Sequence, residues 1–176
     1  MTRQTPPGAA PRPTSADGQS QSWLSRRAIE VVPVRNPVLE ALGHDPTSDY
    51  AEQFWLPVIG PSALWTHRRL TAGFRDGQSS YRLDIATLGR EIGLGAGTGR
   101  HSPVIRTLTR LVNFHLAEII DRRLEVHTML PPLTRHQVAR LPEHLATRHR
   151  EQAALTDPRR SAAALTRTGL APELDP

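Results

Sequence analysis

Arg106, Arg110 and Asn113 fall at i, i+4 and i+7 of a segment in which Ile105, Leu108 and Val112 recur at helical spacing. On a helix the three polar residues share the face opposite that apolar stripe, and Thr107 and Thr109 flank them. Such side chains suit the edges of nucleobases. A guanidinium forks onto guanine O6 and N7, a carboxamide onto adenine N6 and N7, and a threonine reaches a phosphate or a thymine methyl. Arg100, His101 and Ser102 stand where the helix would begin, and backbone N–H groups there favour a phosphate. Arg122 and Arg123 form a second basic pair, placed to reach an adjacent backbone or minor groove. A solvated polar face, of the kind every amphipathic helix carries, is the other meaning of these residues, so the chemistry rests on their surroundings as well.

Charge is the first of those surroundings. All 22 basic residues of this 176-residue chain are arginine, and the net charge is +5. Residues 100–150 hold nine arginines against four acids, and the thirteen of each sign elsewhere cancel. No acid occurs between Glu91 and Glu118. The whole excess therefore lies in one segment, which suits a polyanionic partner.

Other chemistries fare worse. Gly93-Leu-Gly-Ala-Gly-Thr-Gly99 invites a phosphate-loop reading, but neither glycine register completes G-x-G-x-x-G, and without lysine no Walker A is possible. Cysteine is absent, which removes disulfides, thiol nucleophiles and cysteine-based zinc sites. The eight histidines are scattered without H-E-x-x-H, so no metal is expected. Gly77-Gln-Ser79-Ser-Tyr81 misses the closing glycine of a nucleophile elbow. Neither enzymatic activity nor a cofactor is expected. No apolar run approaches the ~20 residues of a membrane span, and the default expectation is a cytoplasmic protein with no membrane partner.

The elements that would position the basic residues follow from period and punctuation. Residues 1–22, rich in Pro, Ser, Gln and Gly, read as a disordered tail. Residues 23–48 read as an N-terminal arm. In it Ile29, Val31, Val32 and Val34 make an extended piece, and Asn36-Pro37 caps a short helix. Asp49 with Glu52 resembles a capping box for a first helix that Gly60-Pro61-Ser62 bends or restarts. Trp55, Trp65 and Phe74 on that helix are expected in the core. Ser80 to Leu83 reads as a short strand, and Asp84 caps a second helix that ends at Gly93. The glycine stretch then connects it to a third helix, capped by Ser102 and Pro103 and running from Val104 to about Phe114. Leu116–Ile120 and Leu124–Leu130, around a turn at Asp121-Arg122-Arg123, read as a β-hairpin. Thr134 with Gln137 opens a C-terminal helix over 134–155 that Pro142 kinks or restarts, and 156–176 reads as a flexible tail.

Helix, short strand, helix, turn, helix and hairpin is an order that resembles the winged helix-turn-helix superfamily over residues 49–133. The fold class expected is mainly α with a small β-hairpin, a winged helix with a two-stranded wing. Within it, Phe54-Trp-Leu-Pro-Val-Ile-Gly-Pro-Ser-Ala-Leu-Trp65 resembles the first-helix segment of DnaD/DnaB-type replication-initiation N-terminal domains, where an aromatic-rich stretch meets a turn and a restarted helix. That resemblance implies self-association and primosome assembly as well as DNA. Two functions are therefore expected in order. The first is binding of double-stranded DNA as a transcriptional regulator or chromosome-associated factor. The second is a protein-interaction winged helix, self-associating as a homodimer or docking in a replication-type assembly through residues 23–42 and the apolar first helix.

Overall fold

The apolar residues Ile29 and Val31 alternate with Glu30, and a strand buries such a pair only against a partner. In the computed structural model, which describes residues 27–74 and 77–156, that partner is found on both sides. Strand β1 (Ala28–Val34) runs parallel to β4 (Arg123–His127), with Val31 opposite Leu124, and antiparallel to β2 (Tyr81–Asp84). Strand β3 (Ala117–Ile120) completes a four-stranded sheet in the order β2-β1-β4-β3. Pro33 is tolerated because β2 pairs only with residues up to Val31, so Pro33 has β4 as its one neighbour.

The fold is thus mixed α/β: the expected short strand and hairpin are present, but they belong to a four-stranded sheet, where a mainly helical chain with a two-stranded wing was expected. The piece expected to lie as an arm against the domain is an inner strand, and it separates β2 from the hairpin. The expected disordered tail and most of the expected flexible tail lie outside the described residues.

Among the described residues, seven helical elements accompany the sheet. Helix α1 (Pro37–Leu42) starts as expected, Asn36 Oδ1 accepting from Val38 N–H at 2.9 Å, yet buries none of its residues. Helix α2 is a π-helical turn (Ala51–Trp55) that runs on into an α-helical one (Leu56–Ile59). Its cap is Ser48 in place of Asp49: the Ser48 hydroxyl accepts from Ala51 N–H at 3.3 Å, and Glu52 pairs with Arg68 at 3.0 Å. Gly60, at φ 80°, turns the chain into α3 (Pro61–Ala72), the restart the sequence announces. Helices α4 (Ile85–Glu91) and α5 (Pro103–Asn113) flank the glycine loop. Thr134 and Gln137 form the expected capping box of α6 (Arg135–Val138), and α7 (Glu143–Thr156) restarts after Pro142.

The core lies between the helices and the sheet, where Phe54, Trp55, Leu64, Ile85, Leu88, Leu108, Leu111 and Leu124 are all at most 1% exposed. Trp55 satisfies its indole N–H on the Pro131 carbonyl at 2.9 Å. Trp65 departs from expectation: it is 59% exposed, with the Arg68 guanidinium 5.2 Å from its ring centroid. Leu64 and Trp65 are adjacent on α3, and since Leu64 is the buried one, helical rotation turns Trp65 outward.

Candidate nucleic-acid interface

Two helix ends fix the glycine loop and α5. Helix α4 begins at Asp84, whose carboxylate accepts from Thr87 N–H at 2.7 Å. These contacts to Thr87 hold the Asp84 carboxyl below its ordinary range. At its other end Gly93, at φ 75°, supplies the left-handed residue of a Schellman stop: Leu94 N–H donates to Gly89 O at 2.7 Å and Gly93 N–H to Arg90 O at 3.2 Å. The first glycine therefore terminates a helix, in keeping with the connector reading. A second such stop closes α5, where His115 takes φ 56° and Leu116 N–H donates to Leu111 O at 2.9 Å, sending the chain into β3.

Val104, Ile105, Leu108 and Leu111 bury one side of α5, and Val112, expected in that stripe, is half-buried. The opposite side carries Arg106, Thr109, Arg110 and Asn113, all exposed. The expected face is therefore present, with one member removed. Thr107 is buried, and its hydroxyl donates to the Pro103 carbonyl at 2.8 Å, because α5 turns this position towards the core. Thr109 donates in the same way to Ile105 O at 3.0 Å but stays at the surface, with its acceptor lone pairs open.

The arginines differ in how firmly they are held. Arg110 donates from Nη2 to the Val58 carbonyl at 3.1 Å, and its guanidinium carbon lies 5.4 Å from the Phe114 ring centroid. Arg100, Arg106 and Arg122 make no side-chain hydrogen bond or ion pair among the described residues. Ser102 stands at the cap position of α5 with extended backbone, but its hydroxyl makes no capping bond and is buried without a partner among the described residues. Arg100 and His101 beside it are exposed.

Between α5 and the α2–α3 corner runs an open groove of about 850 Å³. Arg100, His101, Arg106, Arg110 and Asn113 line one side and Ile59 to Ala63 the other, and no acidic residue is among its lining. The corner wall was missed by sequence reasoning. Its signal was the Gly60-Pro61-Ser62 restart, which leaves a helix start without a side-chain cap.

Arg122 and Arg123 lie elsewhere. The hairpin turn has two residues, Asp121 and Arg122, at φ 46° and 71°, the pair of positive values that a tight two-residue hairpin loop demands. Arg123 is thereby in β4 instead of the turn, and it pairs with Glu30 of β1 at 2.9 Å. Both arginines line a separate hollow with Glu30, Tyr81 and Arg82. The structure thus gathers Arg100, His101, Arg106, Arg110 and Asn113 on one groove and leaves Arg122 and Arg123 outside it.

Among the described residues no helix is long and apolar enough to cross a membrane. Comparison of the chain with protein-family models, curated proteins and solved structures finds no match.

Proposed function

We propose that the chain binds double-stranded DNA as a winged helix, with α5 in the major groove and the hairpin β3–β4 as its wing, in the role of a transcriptional regulator or chromosome-associated factor. In this reading β1 is an added inner strand that stiffens the wing by pairing in parallel along β4. The observation that carries it is the acid-free face of α5. Arg106, Thr109, Arg110 and Asn113 project from a helix whose other side is locked into the core, and they border a groove with no carboxylate to compete for the arginines. A rigid basic face of this kind suits a polyanion, and its arginine and asparagine suit base edges.

Selection of bound duplexes from a random pool, with the wild type and the Arg106→Ala and Arg122→Ala variants, tests the proposal. Arg106→Ala should cost on the order of 1–3 kcal/mol on the best site and flatten the preference among sites. Arg122→Ala should weaken every duplex alike, since a wing arginine meets the backbone. Arg106→Ala binding with unchanged affinity and preference would remove α5 as the reader.

A second reading, protein interaction, is favoured by one observation. Val38, Leu42 and Trp65 are 62%, 63% and 59% exposed, and exposed aromatic residues are common anchors of protein interfaces. Homodimers that persist at low concentration and fail to bind DNA would establish it.

A further inference from the structure

Arg110 does not sit as a base reader should. Its guanidinium is held against the protein, one N–H on the Val58 carbonyl at 3.1 Å and its carbon 5.4 Å from the Phe114 ring centroid, while the residue lines the groove. Only part of its donor set is used there, since a guanidinium carries five N–H groups. Arg100 lines the same groove with no partner among the described residues. The remaining lining mixes apolar side chains, Ile59, Leu94 and Val112, with the first turn of α3 at Ser62 and Ala63. That turn bears no side-chain cap, so the Ser62 and Ala63 N–H groups there have no capping acceptor.

We infer that this groove seats the sugar-phosphate backbone of one DNA strand, Arg110 and Arg100 holding its phosphates while Arg106 and Asn113 are left to read bases. The inference rests on the DNA-binding reading and divides its residues in a way the sequence did not. A duplex backbone presents a line of anions alternating with deoxyribose, whose apolar faces match Ile59, Leu94 and Val112. The groove is open and adjoins the exposed face of α5, so a strand lying in it continues past the reader. With no acid in the lining, nothing offsets its attraction for phosphate.

Four variants measured against a preferred and a non-preferred duplex over a salt series test this: Arg110→Ala, Arg106→Ala, Ser62→Glu and Ser62→Gln. Ser62→Glu puts a carboxylate on the wall facing the arginines. Because the first turn of a helix favours negative charge, the melting temperature should hold or rise. Affinity should nevertheless fall by about tenfold or more on both duplexes alike, while the neutral Ser62→Gln retains it. Arg110→Ala should also weaken both duplexes equally and lower the salt slope by about one. Arg106→Ala should instead reduce the ratio between the duplexes. If the wild type binds duplexes but Ser62→Glu does so equally well, or Arg110→Ala reduces the ratio as Arg106→Ala does, the groove is no backbone seat and the DNA reading stands without it. If the wild type binds neither duplex, the DNA reading itself fails and this inference with it.

Discussion

His67 offers a prediction whose magnitude can be worked from its surroundings. It sits on α3 with no exposed surface, and its Nε2 donates to the His127 carbonyl at 2.9 Å. Donation from Nε2 fixes the neutral tautomer with a bare Nδ1, and Nδ1 is buried without a partner among the described residues. A second proton, on Nδ1, would be buried away from solvent with no acceptor among the described residues. Burial therefore pulls the His67 pKa from the ordinary 6.5 down to about 4, the nearby His127 ring adding to the fall and the bond to the His127 carbonyl opposing it. Because the folded value lies below the unfolded one, the unfolded chain binds the extra proton first. The associated stability is complete above pH 6.5 and is lost as pH falls towards 4. At about 1.36 kcal/mol per pH unit the full loss is about 3 kcal/mol, of which about 2 kcal/mol is gone by pH 5. Urea unfolding between pH 7 and pH 4 should show this loss in the wild type. In His67→Gln, which keeps a donor for the His127 carbonyl but cannot titrate, the acid loss should be smaller by that amount. His44 and His149 are also held below their ordinary values, chiefly by burial, and together with the lowered carboxyls of Asp84 and Glu91 they contribute the acid loss that survives in the variant. Equal acid slopes for the two proteins would refute the reasoning, since they would mean that His67 takes up its proton in the folded state without cost.

Gly89→Ala should destabilise by about 1–3 kcal/mol, as overpacking does, although alanine is worth about 1 kcal/mol more than glycine in an open helix. A Cβ at residue 89 would run into the Gly95 carbonyl oxygen, which is backbone and cannot swing aside. A higher urea midpoint for this variant would show that the glycine loop does not pack on α4. ATP and NAD should produce no saturable thermal shift beyond the effect of salt, because a loop that stops one helix and leads to the next is not built as a nucleotide cradle.

Local signals carried much of this structure. The Asn36, Asp84 and Thr134 caps, the Gly60 restart, the Gly93 stop and the Pro142 break all act within a few residues, so composition and spacing report them. The exposed face of α5 was legible for the same reason, because a helical period of apolar residues defines its own opposite side. What escaped was long-range. Nothing near Ala28–Val34 says that its parallel partner lies at Arg123–His127, so an inner strand read as an arm. The Arg123–Glu30 pair depends on that same contact, which is why Arg123 read as a free wing residue. Thr107 and Trp65 were misplaced by the rotation of their helices, set by which neighbours bury the adjacent positions. The groove needed Ile59–Ala63 and α5 to meet across about 40 residues of chain, a juxtaposition no spacing rule contains.

The most direct test is titration of the unmodified chain with duplex DNA over a salt series, with light scattering after size exclusion on the same sample. Arg100 and Arg110 alone, as phosphate contacts at about −0.9 each, predict a slope of log affinity against log salt of about −2 or steeper. Salt-dependent binding with such a slope is the expected result. Stable oligomers with no duplex affinity at any salt concentration would contradict it and leave protein interaction through the exposed Val38, Leu42 and Trp65 as the better account.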